Sequence, residues 1–242
     1  MNEGIARSRP AILFDLDGTL TDSRPGIVNS TLYALRRFNE TRGANLPIPE
    51  PESLTYLVGP PLRTSFAKLV GADDADTLLK LYRERFEPVG IFENSVYPGI
   101  VSTLEALRAM GCRLFVATSK PEHYARRIVE HFDLAGFFIE VHGAAPDGTR
   151  AAKADIIAHV LARHEVAPAE AVMIGDREHD ALGAKANGLL GSVGALWGYG
   201  SREELGKAGA DPLVERPDQL VAALDEALAQ HITSPVIIST PA

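Results

Sequence analysis

The sequence predicts an α/β fold: a doubly wound parallel sheet with a small helical unit inserted after the first strand. Short apolar runs alternate with amphipathic helical stretches, and one long segment, 23–94, has helical patterns without a convincing strand. Strands separated by helices of this length form βαβ units, in which helices cover both faces of a parallel sheet. The 242 residues suffice for a core domain and a smaller one.

Five apolar runs are predicted to be the strands of the core. In chain order they are residues 11–14, 113–117, 138–141, 171–174 and 190–193. Two segments between these runs have apolar residues at helical spacing. One contains Ile100, Leu104 and Leu107, and the other contains Ile156, Ile157, Val160 and Leu161.

Two further apolar faces predict the helical insertion. They consist of Ile27, Thr31, Ala34, Leu35 and Phe38 in one helix and Leu78, Leu81, Tyr82 and Phe86 in another. We therefore assign residues 1–22 and 95–242 to a core domain and 23–94 to a helical cap. The tail from His231 onward has no helical period and is expected to be peripheral.

The charge balance limits the classes of partner. The formal net charge of -8 argues against binding to nucleic acid or to an acidic membrane surface, since both require a basic patch. The single cysteine, Cys112, excludes an internal disulfide. No apolar run reaches the ~18 residues of a membrane span, and the amino terminus lacks a signal-peptide pattern. We expect a cytoplasmic protein that is a monomer or a weak homodimer.

The strongest local signal follows the first predicted strand directly. Asp15 and Asp17 are two residues apart and are followed by Gly18. On a strand, side chains two residues apart point the same way. Paired carboxylates suit a hard cation such as Mg²⁺, which takes oxygen ligands. Taken alone, the same residues would also fit a surface turn.

Other polar residues also fall at predicted strand ends. Thr118 and Ser119 follow the strand at 113–117, Asp176 and Asp180 follow the strand at 171–174, and Lys153 opens the helix between them. The carboxyl ends of parallel strands meet at one edge of the sheet, where active sites form.

Together these residues supply the parts that phosphoryl transfer needs. Asp15 could attack phosphorus and form an aspartyl phosphate. Asp17 could act as general acid and then as general base. Thr118 and Lys153 could hold the phosphoryl oxygens, while acidic residues after the strand at 171–174 hold the metal.

The chain resembles the haloacid dehalogenase superfamily over nearly its whole length. The resemblance rests on four motifs in order, which are Phe14-Asp15-Leu16-Asp17-Gly18-Thr19-Leu20, Thr118, Lys153, and Gly175-Asp176 with Asp180. It implies a Rossmann-like core with a small helical cap. It also implies that Mg²⁺ is held by the Asp15 carboxylate, the main-chain carbonyl of Asp17 and the Asp176 carboxylate. Asp180 then supports these ligands from outside direct coordination, and Ser119 and Gly18 lie beside the phosphate.

A narrower resemblance is to the phosphoglycolate phosphatases and their 5′-nucleotidase-like relatives. It is carried by short segments at 17–23, 59–62, 97–99, 117–121, 147–150 and 196–200. It implies a small phosphorylated metabolite as substrate, either phosphoglycolate or a nucleoside monophosphate. Because substrates differ among proteins of one fold, it does not choose between them.

The closest alternative is a phosphosugar mutase, and a non-catalytic protein is a remoter one, whereas Asp17 argues against a dehalogenase and a phosphonate hydrolase. A phosphosugar mutase of the same fold would use the same two aspartates. A dehalogenase would not need Asp17 as an acid, and a phosphonate hydrolase would use a cap lysine such as Lys68 or Lys80 and no acid at Asp17. A non-catalytic binding protein would be expected to lose one of the four motifs, and none is missing.

Several residues have weaker signals. Arg63 in the cap could reach a second anionic group of the substrate, or it could be a solvated surface residue. Arg24 and Lys120 lie near motif ends and are interpreted as structural or solvated. His179 is interpreted as a helix-surface residue. Trp197 and Tyr199 could contact a substrate ring, although packing within the loop is the simpler interpretation.

Overall fold

The computed structural model describes residues 10–59, 61–145 and 149–225. Its strands are β1 (Ala11–Phe14), β2 (Thr21–Asp22), β3 (Ser95–Val96), β4 (Arg113–Pro121), β5 (Glu140–Ala144), β6 (Ala171–Gly175), β7 (Gly191–Ala195) and β8 (Leu213–Val214). Its helices are α1 (Arg24–Arg42), α2 (Leu62–Val70), α3 (Ala75–Phe86), α4 (Ile100–Ala109), α5 (Glu122–His131), α6 (Lys153–Arg163), α7 (Glu178–Ala186) and α8 (Arg202–Ala208). Residues 220–225 are also helical.

The core is a six-stranded sheet in the order β5-β4-β1-β6-β7-β8, with all neighbouring strands parallel. In register, Phe14 at the end of β1 lies between Val116 of β4 and Ile174 of β6. The chain moves outward from β1 to one side through β4 and β5, then returns to the other side through β6. The carboxyl ends of β1, β4 and β6 therefore meet at the switch point of the sheet, where ligands bind in such folds.

Helices on both faces explain why the central strands are continuously apolar. Ile12 and Phe14 of β1 pack in one hydrophobic cluster, and Leu13 packs in another with Ile156 and Val160 of α6. All four residues of β1 are fully buried. The doubly wound α/β fold predicted from the sequence is confirmed.

Boundaries differ from the sequence prediction at several strands. β4 continues beyond residue 117 to Pro121, and β7 is shifted to Gly191–Ala195. The strand predicted at 138–141 is observed two residues later, because β5 begins at Glu140. Phe138 precedes the strand and packs its ring edge-on against Phe14, which accounts for its apolar character. β8 has only two residues, too few to produce an apolar run.

Three helices, α1 to α3, form the segment predicted to be a cap. The predicted apolar faces of α1 and α3 are buried, and the described part of 23–94 contains no strand. The chain leaves and re-enters the core through the antiparallel pair β2 and β3, where Thr21 lies opposite Val96. These observations agree with the assigned cap, but the division into domains stays a prediction.

Cys112 is half-buried and precedes β4 by one residue. The tail from His231 lies outside the described residues. Across the described ranges, no helix combines the length and apolar character that a membrane crossing requires.

Candidate active site

Lys153 lies at the centre of a group of buried charges at the carboxyl edge of the sheet. Its Nζ is 2.9 Å from Asp15 Oδ1 and 2.8 Å from Asp180 Oδ1, and it donates to the carbonyl oxygen of Ala117 at 2.8 Å. Burial acts to lower the pKa of Lys153, but the carboxylates of Asp15 and Asp180 raise it overall. A buried lysine of this kind stays charged because it is paired.

We expect Lys153→Met to destabilise the fold strongly in the presence of a chelator. The substitution leaves two buried carboxylates without their cation, which costs about 3–5 kcal/mol in comparable buried pairs. The free energy of unfolding, measured by urea denaturation, checks this, with Lys80→Met on the exposed face of α3 as control. Equal stabilities of the two variants would show that Lys153 is not needed to balance these charges.

Asp15, Asp176 and Asp180 form a buried acidic cluster that could hold a metal ion. Each offers an oxygen, and the three oxygens lie within 4.8 Å of one another. Burial, with the charges of Asp15 and Asp180, raises the pKa of Asp176 well above its usual range. Burial also raises the pKa of Asp180 to about 6, opposed by Lys153. One lysine does not balance three carboxylates, and their oxygen-only donor set fits a divalent cation such as Mg²⁺.

Two glycines allow the backbone to approach these carboxylates closely. Gly18 has φ +84, and a Cβ there would lie 2.2 Å from Asp176 Oδ2. A Cβ on Gly175 would lie 2.1 Å from Asp180 Cγ. A side chain at either position would displace a carboxylate of the cluster, so the glycines are part of its construction.

Asp17 is not one of the three carboxylates of this cluster and lines a cavity together with residues of the cap. Its Oδ2 accepts a hydrogen bond from Lys120 Nζ at 2.6 Å. Its Oδ1 is buried and has no hydrogen-bond partner among the described residues. A buried carboxylate oxygen without a partner is costly unless a ligand supplies one. Asp17 is therefore held at one oxygen and available at the other.

The phosphate-binding candidates take separate positions at the end of β4. Thr118 is buried, and its Oγ1 accepts from the backbone N–H of Lys120 at 3.3 Å. Ser119 is half-buried and lines a cavity between cap and core. Their roles at a phosphate stay predictions.

Lys120 is the residue whose importance the sequence interpretation underestimated. Its side chain is only 6% exposed, it contacts Asp17, and its Nζ lies 5.4 Å from the centre of the Phe86 ring. The signal was present, because Lys120 lies two residues after Thr118 on one strand. The sequence prediction ended this strand at residue 117, so it did not place Lys120 on β4.

The cavity of about 250 Å³ lies between the cap and the sheet edge. Asp17 and Lys120 line it at the core. Its apolar and aromatic lining consists of Ile27, Leu57, Pro61, Leu62, Leu79, Tyr82, Phe86, Pro121 and Tyr124, together with alanines. A ligand with a phosphate at the acidic cluster could extend an apolar or aromatic group into this space.

Arg63 lines the same cavity but lies in an exposed ion pair. Its Nε is 2.7 Å from Asp76 Oδ1, and its Nη2 donates to Asp76 Oδ2 at 2.9 Å. Contact with a substrate would require this pair to open, which an exposed pair does readily. The structure does not bring Arg63 to the acidic cluster.

The loop after β7 is hydrogen-bonded to the acidic cluster through Tyr199. The backbone N–H of Tyr199 donates to Asp176 Oδ2 at 2.7 Å, and its hydroxyl donates to Asp22 at 2.7 Å. The Tyr199 hydroxyl also accepts a hydrogen bond from the backbone N–H of Arg24. Trp197 Nε1 donates a hydrogen bond to the carbonyl oxygen of Thr19 at 3.0 Å. The loop thus ties the acidic cluster to the crossing into the cap.

Arg177 makes a connection that the sequence did not reveal. Its Nη1 donates to the carbonyl oxygen of Val58 in the cap at 2.8 Å, and its Nε pairs with Glu204. The neighbouring His179 is exposed on α7, in agreement with the helix-surface interpretation. Arg177 joins the loop after β6 to the cap.

Several known proteins have sequences similar to this chain. Residues 12–190 match the haloacid dehalogenase-like hydrolase family. A 5′-nucleotidase of Pseudomonas aeruginosa is 44% identical over 200 residues, which are 81% of this chain and 86% of the relative. A phosphoglycolate phosphatase of Aquifex aeolicus is 27% identical over 219 residues, covering 90% and 98%.

One relative has a name from a different enzyme class. Tyrosine-protein kinase PtkA of Mycobacterium tuberculosis is 42% identical over 196 residues, covering 81% of this chain and 65% of PtkA. Among solved structures, a predicted phosphatase from Clostridium acetobutylicum is 40% identical with a TM-score of 0.82, covering 90% of this chain and all of that one. With three-quarters of its length matched by the family and the acidic cluster in place, the chain belongs to the haloacid dehalogenase-like hydrolases.

Proposed function

We propose that this protein is a Mg²⁺-dependent phosphatase that hydrolyses a small phosphomonoester through an aspartyl phosphate at Asp15. The observation that carries the proposal is the buried group formed by Asp15, Lys153, Asp176 and Asp180, next to an Asp17 oxygen without a partner. This arrangement supplies a nucleophile, charge stabilisation and a proton carrier at one sheet edge. Membership in a hydrolase family agrees with it.

In the first half-reaction, an Asp15 carboxylate oxygen attacks phosphorus as the bond to the leaving oxygen breaks. Asp17 donates its proton through Oδ1 to the departing alkoxide. Lys153, already 2.9 Å from Asp15, stabilises negative charge beside the nucleophile. Thr118 and Ser119 at the end of β4 would donate to the phosphoryl oxygens.

In the second half-reaction, Asp17 accepts a proton from water as the water attacks the phosphoryl group on Asp15. Phosphate leaves and the Asp15 carboxylate is restored. The Asp15 and Asp176 carboxylates and the main-chain carbonyl of Asp17 would hold Mg²⁺, with Asp180 supporting them. Bound there, the ion would neutralise charge on the phosphoryl oxygens.

The cavity favours a nucleoside monophosphate over phosphoglycolate. Glycolate has two carbons and would leave the aromatic lining from Tyr82, Phe86 and Tyr124 without contact. A nucleoside base could be buried against these rings. The 5′-nucleotidase relative points the same way.

The proposed substrate class is tested by release of inorganic phosphate in Mg²⁺ from nucleoside monophosphates, phosphoglycolate, sugar phosphates and a phosphotyrosine peptide. We expect kcat/KM for a nucleoside monophosphate to exceed that for phosphoglycolate by at least about 10-fold, the lower end of what one buried methylene group gives. An equal or higher value for phosphoglycolate contradicts the preference. Isomerised sugar phosphate with little free phosphate would identify a mutase instead.

We also expect Mg²⁺ to stabilise the protein more above pH 6 than below it. Burial raises the pKa of Asp180 to about 6, so its contribution to stability without metal is lost as pH rises through about 6. The pKa of Asp176 is raised as well, which acts in the same direction. Mg²⁺ binds the ionised carboxylates and reverses this loss. At about 100 times its Kd we expect roughly 5–10 °C in Tm at pH 7.5 and little at pH 5. Equal shifts at both pH values, or full turnover in excess chelator, would contradict the assignment.

A further inference from the structure

A second cluster of metal-ligating side chains lies at the outer edge of the sheet. Glu140 and His142 are two residues apart on the edge strand β5, so their side chains share a face. His164 follows the last residue of α6 and meets them there. The proposed phosphatase chemistry uses none of the three. Since α6 has eleven residues, about 16 Å of helix separates this cluster from Lys153.

The ligand atoms have the spacing of a small coordination polyhedron. His142 Nε2 and His164 Nε2 are 3.0 Å apart. Glu140 Oε2 lies 3.3 Å from His164 Nε2 and 3.8 Å from His142 Nε2. In a tetrahedral zinc site, bonds of about 2.0–2.2 Å place neighbouring ligand atoms about 3.3–3.6 Å apart. The three observed separations span that value.

The burial of His142 suits metal binding. A neutral imidazole binds a metal through the ring nitrogen that carries its lone pair, and the Nε2 atoms of His142 and His164 face each other. The His142 side chain is 1% exposed, so its ring cannot exchange this contact for bulk water.

Charges around Glu140 select the type of ion. Arg163 Nε is 2.8 Å from Glu140 Oε2, and Arg126 Nη2 is 3.5 Å from Oε1. Such partners fix the orientation of a ligating carboxylate, but they also cancel its charge. A cation held mainly by charge, such as Mg²⁺ or Ca²⁺, gains little here, whereas an ion that prefers imidazole is favoured.

We propose that Glu140, His142 and His164 form a transition-metal site for Zn²⁺, separate from the acidic cluster. The ion would link the edge strand β5 to the end of α6. The fourth ligand would be either a water molecule or His159, whose ring centre is 5.3 Å from that of His142.

The test is calorimetric titration of Zn²⁺ into protein stripped of transition metals, in excess Mg²⁺ that competes with Zn²⁺ for the acidic cluster. We expect one Zn²⁺ per chain in the wild type and in the control His131→Gln, which changes an exposed histidine on α5. Glu140→Gln and His164→Gln should each weaken binding by at least about 100-fold, since loss of supporting partners alone costs 10–100-fold. No binding by the wild type, or unchanged affinity in both folded variants, overturns the proposal.

A second measurement does not depend on the variants. X-ray absorption of the wild-type protein with one Zn²⁺ should show two imidazole ligands and one carboxylate oxygen. A shell of oxygen atoms alone would place the ion at the acidic cluster and overturn the proposal. Phosphate release in Mg²⁺ alone is read separately, so failure of the zinc site leaves the proposed phosphatase untouched.

Discussion

Asp15→Asn is expected to reduce phosphate release to below about 10⁻⁴ of the wild-type rate, as loss of a covalent nucleophile does elsewhere. A neutral amide cannot form the aspartyl phosphate that the proposed reaction requires. The side chain keeps its size, so the packing at the end of β1 is preserved. Steady-state phosphate release in saturating Mg²⁺ checks the result.

The fold of this variant should survive. Lys153 keeps its contacts with Asp180 and the carbonyl of Ala117, and the charge that helps to raise the pKa of Asp176 is gone. Circular dichroism and the urea midpoint verify this. Asp73→Asn, on the exposed surface of the cap, is the matched control and should retain full activity. Sustained turnover by pure, folded Asp15→Asn protein rules out Asp15 as the nucleophile.

Asp17→Asn is expected to slow hydrolysis of an alkyl phosphomonoester by about 10²–10⁴-fold, the range for a positioned acid–base group. The side-chain amide can still lie beside Lys120 but cannot donate a proton to the leaving oxygen or accept one from water. The loss should be smaller for the first half-reaction with an aryl phosphate, because its leaving group needs little protonation. Single-turnover kinetics with both substrates measure the two halves separately.

The contrast between leaving groups is the informative part of this prediction. A variant with misplaced packing would slow alkyl and aryl phosphates equally. A proton-transfer variant slows formation of the phosphoenzyme only where the leaving group is poor. Equal losses in the rate of phosphoenzyme formation with both substrates would show that Asp17 has a structural role rather than the proposed one.

The sheet was predictable because burial on both faces makes its central strands continuously apolar. Ala11–Phe14 was predicted with its observed bounds for this reason, and the faces of α1 and α3 were predicted from helical spacing. β8 was missed because two residues carry no periodicity. β5 was misplaced because Phe138 contributes to the core without belonging to the strand.

The candidate site was predictable to the extent that it follows strand ends. Asp15, Asp176, Asp180 and Lys153 converge because β1 and β6 are neighbours and α6 begins beside them. Contacts between distant segments carry no such local signal. The hydrogen bond of Arg177 to Val58 and the burial of Lys120 against Asp17 depend on how the cap lies over the core. The zinc candidate was not predicted either, because Glu140 and His164 meet only through packing of α6 on β5.

The aspartyl phosphate itself provides the most direct test of the account. Asp17→Asn protein mixed with an aryl phosphate in Mg²⁺ should form the intermediate readily and hydrolyse it slowly, so the intermediate should accumulate. Acid quenching followed by peptide mass spectrometry should then find one phosphoryl group on the peptide that contains Asp15, and none when Asp15 is also changed to Asn. A phosphoryl group on another residue such as Ser119, or an unmodified protein throughout turnover, would contradict the proposed mechanism.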